Sequence, residues 1–136
     1  MRKIMIVDDN YLSAEGIEKN IDWEVLNAEI VHICYNGTSA IEAMKNEPVD
    51  LIISDIEMPD LDGISMSRQA LDINPMVKII LISAYDKFEY ARRALLLGAL
   101  DYIEKPLDYA YLIQKVKNAF ALMEREQKNL QLLKQS

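Results

Sequence analysis

Short apolar runs alternate along the chain with segments whose apolar residues recur at helical spacing. Lys3–Val7 is an apolar run that ends at Asp8-Asp9. Asn10–Asn20 reads as a helix, with Leu12 and Ile17 as inward positions. Glu29–Cys34, with Ile30, Val31 and Ile33, is a second strand. Asn36-Gly37 is a turn, and Thr38 is placed to cap a helix running to about Asn46. Leu51–Ser54 is a third apolar run, ending at Asp55. Met58-Pro59-Asp60-Leu61-Asp62-Gly63 is a loop by its proline, glycine and aspartates. Ile64–Ile73 follows as a helix, stopped by Asn74-Pro75. Lys78–Ile82 is the most apolar strand and ends at Ser83. Phe88–Leu97 places Phe88, Ala91 and Leu95 on one helical face, with Gly98 as its C-terminal cap. Leu100–Ile103 is a short fifth strand ending at Lys105-Pro106, and from Asp108 onward the pattern is helical almost to the last residue.

Alternation of five strands with five helices predicts an α/β domain, a parallel sheet covered on both faces. The first, third and fourth strands are continuous apolar runs, as doubly covered strands should be. In open sheets of this class, function sits beyond the carboxyl ends of the strands, at the switch point of the winding. Four of the five strand ends carry a group with chemistry: Asp8-Asp9, Asp55, Ser83 and Lys105.

Composition narrows the picture. The 136 residues fit one domain, with 51% hydrophobic residues to build a core. Fifteen bases against 22 acids leave a net charge of −7. That acidity argues against this chain binding nucleic acid or an anionic membrane through bulk electrostatics. A lone Cys34 excludes an internal disulfide and makes the cytoplasm the natural setting. One Cys and one His do not make a structural zinc site. The N-terminal apolar run is too short for a signal-peptide core, and no segment approaches the ~18 apolar residues of a membrane span.

The acids gathered at the strand ends matter more than the total. Carboxylates sharing a pocket repel one another, and one would take up a proton if unpaired. A hard divalent cation resolves the conflict, since Mg²⁺ prefers oxygen ligands and commonly bridges carboxylates to phosphate. With Lys105 as a positive charge and Ser83 as a hydroxyl donor, the set suits a phosphoryl group, and an aspartate can be its covalent acceptor. Asp8, Asp9, Asp55, Glu57, Asp60 and Asp62 lie in two strand-end segments, so a good share of the −7 is expected around one cation and one phosphoryl group.

Four segments in order carry a resemblance: Val7-Asp8-Asp9, Ser54 through Gly63, Leu81-Ile82-Ser83-Ala84, and Asp101 through Pro106. Over about residues 1–120 the chain resembles the receiver domain of two-component response regulators. The resemblance implies a flavodoxin-like doubly wound sheet of order 2-1-3-4-5 in a three-layer α/β/α sandwich. It implies Asp55 as the phosphoacceptor. Asp8 and Asp9 become the acidic pair holding Mg²⁺, joined by Asp55 and the backbone carbonyl of Glu57. Ser83, Ala84 and Lys105 become the phosphoryl-stabilising set, Ser83 and Tyr102 the switch pair, and Glu57 and Tyr85 the positions that tune phosphoryl lifetime. Ser83 stands where the family often has Thr, and lacks the methyl group that restricts χ1. The implied function is a phosphoacceptor signalling domain rather than an enzyme, assisting its own phosphorylation and dephosphorylation. The implied partners are a sensor histidine kinase and the protein's own output domain. A homodimer through the fourth helix, fifth strand and fifth helix, or through the C-terminal helix, is also implied. The stretch from Ser83 to Ala91 resembles receivers joined to AraC-type helix-turn-helix domains, which implies transcription regulation.

Plainer readings stand beside these. Asp8-Asp9 also suit the start of a helix, and Ser83 also suits an N-cap. His32 reads as a strand residue, Cys34 as a small buried hydrophobe, and Trp23 as a plug closing one end of the core. Two other functions compete: a metal-dependent phosphohydrolase using Asp55 as nucleophile, and a receiver-like interaction module that is never phosphorylated. Residues 121–136 form a helical extension, polar from Glu124 to Asn129 before Leu130, Leu132 and Leu133. With fewer than two clean heptads, it reads as a linker toward an output domain rather than a coiled coil.

Overall fold

The computed structural model describes residues 1–84 and 88–135. Its elements run β1 (Arg2–Val7), α1 (Tyr11–Lys19), β2 (Ala28–Cys34), α2 (Gly37–Asn46), β3 (Leu51–Asp55), α3 (Gly63–Ile73), β4 (Lys78–Ser83), α4 (Phe88–Leu97), β5 (Asp101–Glu104) and α5 (Tyr109–Gln135). The strands form one parallel sheet in the order β2-β1-β3-β4-β5, as expected.

Strand residues alternate between two cores. Met5, Val7, Ile52, Ile79 and Leu81 face a cluster completed by α2, α3 and α4. Ile4, Ile6, Leu51, Ile53, Ile80 and Ile82 face a second cluster completed by α1 and α5. Burial of both faces explains the unbroken apolar runs in β1, β3 and β4. The register sets Val7 opposite Ser54, Asp55 opposite Ile82, and Ser83 opposite Glu104. The carboxyl ends of β1, β3, β4 and β5 therefore finish nearly level.

Several local expectations are corrected. Leu12 is exposed, while Ala14 and Ile17 turn inward. Five residues at about 100° each put Leu12 roughly 140° from Ile17 around the helix. On α4 the inward stripe is Ala94 flanked by Tyr90 and Leu97, and Leu95 is exposed. The expected face is one residue out of phase with that stripe; the side chain of Phe88 lies outside the described residues. Thr38 does not cap α2. Asn36 does, its side chain accepting from the Ser39 N–H at 2.8 Å. β5 is shifted one residue, to Asp101–Glu104.

Other expectations hold. Gly98 follows α4 with φ +93, a conformation suited to glycine. Trp23 is buried and donates its ring N–H to the Ile17 carbonyl. Cys34 is buried and unpaired, and burial pushes its thiol pKa up. His32 is half-buried, with Nε2 2.9 Å from the Glu47 carbonyl oxygen. In α5, Leu112, Val116, Ala119 and Met123 are buried, and Leu130, Leu132 and Leu133 are exposed. Among the described residues, no helix is long and apolar enough to cross a membrane.

Candidate functional site

The level strand ends bring together residues far apart in sequence. Asp8, Asp9 and Asp55 can each offer a carboxylate oxygen within 4.8 Å of the others. Asp8 is only 3% exposed and Asp55 8%, whereas Asp9 is open to solvent. Backbone pairing fixes the frame: Asp8 N–H donates to the Cys34 carbonyl, Ile56 N–H to that of Ile82, and Lys105 N–H to that of Ser83.

Lys105 reaches this group from the end of β5. Its Nζ lies 3.5 Å from Asp8 Oδ2 and 3.5 Å from Asp55 Oδ2. One ammonium at that distance does not balance the pocket. Burial, reinforced by the charge of Asp8, pushes the Asp55 carboxyl up to about 6 against the pull of Lys105. Burial also raises Asp8, opposed first by the Asn10 N–H bonded to its carboxylate and then by Lys105. Oxygen-only donors, buried and under-neutralised, are the chemistry a hard cation selects.

Ser83 is fully buried at the end of β4, and its hydroxyl donates to Glu57 Oε1 at 3.4 Å. Ala84 follows it, exposed. Tyr102 is half-buried on β5 against the α2–α4 core. Tyr85 lies outside the described residues. Two cavities flank the carboxylates. One of about 350 Å³ is lined by Asp8, Asn10, Ser13, Lys105 and Tyr109. The other, about 410 Å³, is lined by Asp9, Glu57, Pro59, Tyr90 and Arg93.

Two of the six acids expected in this region are engaged elsewhere. Asp62 caps α3 by accepting from the Ser65 N–H at 2.8 Å. Asp60 accepts from the Thr38 hydroxyl at 2.5 Å. The Glu57 side chain accepts from the Ser83 hydroxyl and lines one cavity with Asp9. Tyr90 and Arg93 on α4, which line the second cavity, carry no signal in sequence, because only the phase of α4 turns them there.

Comparison with known proteins agrees with this architecture. Residues 4–117 match the family model described as the response regulator receiver domain. Over 126 residues the chain is 29% identical to the uncharacterized transcriptional regulatory protein YesN of Bacillus subtilis (strain 168). The match covers 93% of this chain and 34% of that protein, so the chain spans about a third of that relative's length. The REC domain of AraT, a response regulator from Geobacillus stearothermophilus, superposes with a TM-score of 0.87 at 35% identity, covering 93% of this chain and 98% of that one. CheX–CheY–BeF3–Mg²⁺ from Borrelia burgdorferi contains a chain that superposes with a TM-score of 0.77 at 28% identity, covering 88% of this chain and 89% of its own.

Proposed function

The chain belongs to the receiver domain family of response regulators, and on that premise we propose that Asp55 accepts a phosphoryl group in a Mg²⁺-dependent transfer that switches the domain. One arrangement carries the reading: three carboxylates with oxygens within 4.8 Å of one another, and a lysine ammonium 3.5 Å from two of them. Asp8, Asp9 and Asp55, with the backbone carbonyl of Glu57, would hold Mg²⁺. When bound, the ion supplies positive charge to carboxylates and phosphoryl oxygens alike.

The donor is a sensor kinase's phosphohistidine or a small acyl phosphate. A carboxylate oxygen of Asp55 forms the new O–P bond while the donor's N–P or O–P bond breaks, and the leaving group keeps the electron pair. Lys105 pairs with a phosphoryl oxygen. Ser83 turns its hydroxyl from Glu57 to another oxygen, which small Ala84 leaves accessible. Tyr102 then moves inward, changing the surface of α4, β5 and α5. Glu57 and Tyr85 tune the lifetime of the acyl phosphate, Tyr85 being assigned from its position in the sequence.

For the wider reading, the name of one relative, a transcriptional regulatory protein, supports a regulatory output. Residues 1–120 act as the receiver, and 121–136 begin a helical linker to a transcription-regulating output domain of AraC type. The setting is the cytoplasm, and the active form pairs two copies through the α4-β5-α5 surface or the C-terminal helix. The central test is labelling with acetyl phosphate. Labelling that needs Mg²⁺ and disappears in Asp55→Ala supports the assignment; labelling that persists unchanged in Asp55→Ala overturns it.

A further inference from the structure

The loop between β3 and α3 carries Glu57, and its two ends are tightly fixed. Gly63 N–H donates to the Ile56 carbonyl at 2.8 Å. A Cβ at Gly63 would stand 2.2 Å from the Asp55 carbonyl oxygen, so α3 begins directly against the end of β3. Met58 is buried and holds the loop's inner side. The outer side, Pro59–Leu61, is held by a different element.

That element is the N-terminus of α2, more than twenty residues earlier in sequence. Asp60 Oδ2 accepts from the Thr38 hydroxyl at 2.5 Å and from the Thr38 N–H at 3.3 Å. The Thr38 hydroxyl holds the Asp60 carboxyl below its ordinary range. Beside this contact the two segments of backbone come close: a Cβ at Gly37 would lie 2.4 Å from the Leu61 carbonyl oxygen. The helix does not need Thr38 as its cap, because Asn36 already performs that role. The Thr38 hydroxyl is therefore spent on the loop.

We infer that Thr38, through Asp60, is a positioning residue for the metal site: it latches the β3–α3 loop so that the Glu57 carbonyl is presented to Mg²⁺. This rests on the reading that Asp8, Asp9, Asp55 and the Glu57 carbonyl hold the ion. Mg²⁺ demands near-ideal octahedral geometry, so a loop free to shift by a few tenths of an ångström loses affinity before it loses structure. Partners that orient a metal ligand commonly carry tenfold or more in affinity.

The test is calorimetric titration of Mg²⁺ into the metal-free chain, with thermal melts in EDTA alongside. Thr38→Val keeps the shape, the N–H and the charge of Asp60 but removes the hydroxyl. It is expected to weaken Mg²⁺ binding by about three- to tenfold with little change in the EDTA melt. Thr38→Ser, which restores the hydroxyl, should return affinity to within about twofold of wild type. Gly37→Ala, which pushes on Leu61 from the same side, should weaken Mg²⁺ in the same direction. Unchanged affinity in Thr38→Val, or loss matched by an equal fall in the metal-free melt and not recovered by Thr38→Ser, overturns the latch. Asp9→Asn separates the two levels: if wild type binds Mg²⁺ and Asp9→Asn does not, the site stands whatever Thr38 does. Equal binding by wild type and Asp9→Asn removes the site and the latch together.

Discussion

The two edges of the sheet handle charge in opposite ways. At the amino edge, two pairs of opposite charges meet at close range. Lys78 Nζ lies 2.8 Å from Glu126 Oε1, and Lys3 Nζ lies 3.0 Å from Glu47 Oε2. The Asp50 carboxylate accepts from the Lys3 N–H at 2.8 Å. At the carboxyl edge, Lys105 is 3.5 Å from each of two buried carboxylates, with Asp9 beside them. The first arrangement is a satisfied structural edge that also ties α5 to β4. The second leaves negative charge uncompensated, and the raised Asp55 and Asp8 carboxyls record it. Electrostatic strain of this kind persists in a fold only where the rest of the structure over-determines it, and it is the pattern that functional sites use.

Substitutions and pH should separate the edges. The largest stability effect is expected from Asp55→Asn, which keeps an acceptor for the Ile56 N–H and removes a buried charge. Without Mg²⁺ at pH 7 it should stabilise the domain by about 3 kcal/mol in urea unfolding; a loss of stability would mean that the carboxyl edge is not strained. Next is the pH profile of the metal-free chain. Asp55 titrates at about 6 in the fold and at about 3.9 when unfolded. Between those values the folded state holds more protons. Stability should therefore fall as pH rises through that window, by about 3 kcal/mol in all, with Asp8 adding in the same direction. The decline should flatten in Asp55→Asn and be offset by excess Mg²⁺. A profile that rises from pH 4 to 6 with the same slope in both proteins would break the comparison.

Smaller effects follow. Lys105→Ala leaves Asp8 and Asp55 facing each other and should cost about 1–2 kcal/mol at pH 7, with less cost at pH 5, where Asp55 is protonated. An equal cost at both values would detach Lys105 from Asp55. At the amino edge, Glu126→Gln should change stability by no more than about 1 kcal/mol and leave Mg²⁺ affinity unchanged. A measurable loss of Mg²⁺ affinity there would show that the edges are coupled through β4 and α5.

The residues at the strand ends are legible in the sequence because each closes an apolar run. Asp8, Asp55, Ser83 and Lys105 need only the alternation of elements and the rule for open sheets to be placed together. Asp60 and Asp62 are misplaced for the same reason that Asp55 is found. They are acids near a strand end, and sequence proximity does not say which way a loop side chain turns. Asp62 is taken by the first turn of α3, and Asp60 by a helix from elsewhere in the chain. The face of α4 is ambiguous because Phe88, Ala91 and Leu95 and the observed Tyr90, Ala94 and Leu97 are both apolar stripes at helical spacing. Only contact with α3 and the sheet decides which of them turns inward.

By itself, then, the sequence determined the class of fold, the ends of the strands and the residue types delivered there, because apolar periodicity is set locally and strand direction follows from alternation. Tertiary structure alone decided which acids share a pocket, how incompletely Lys105 neutralises them, and that Thr38 holds a loop instead of capping a helix. Those outcomes depend on distances of a few ångströms between segments twenty to a hundred residues apart, and no spacing within one segment encodes them.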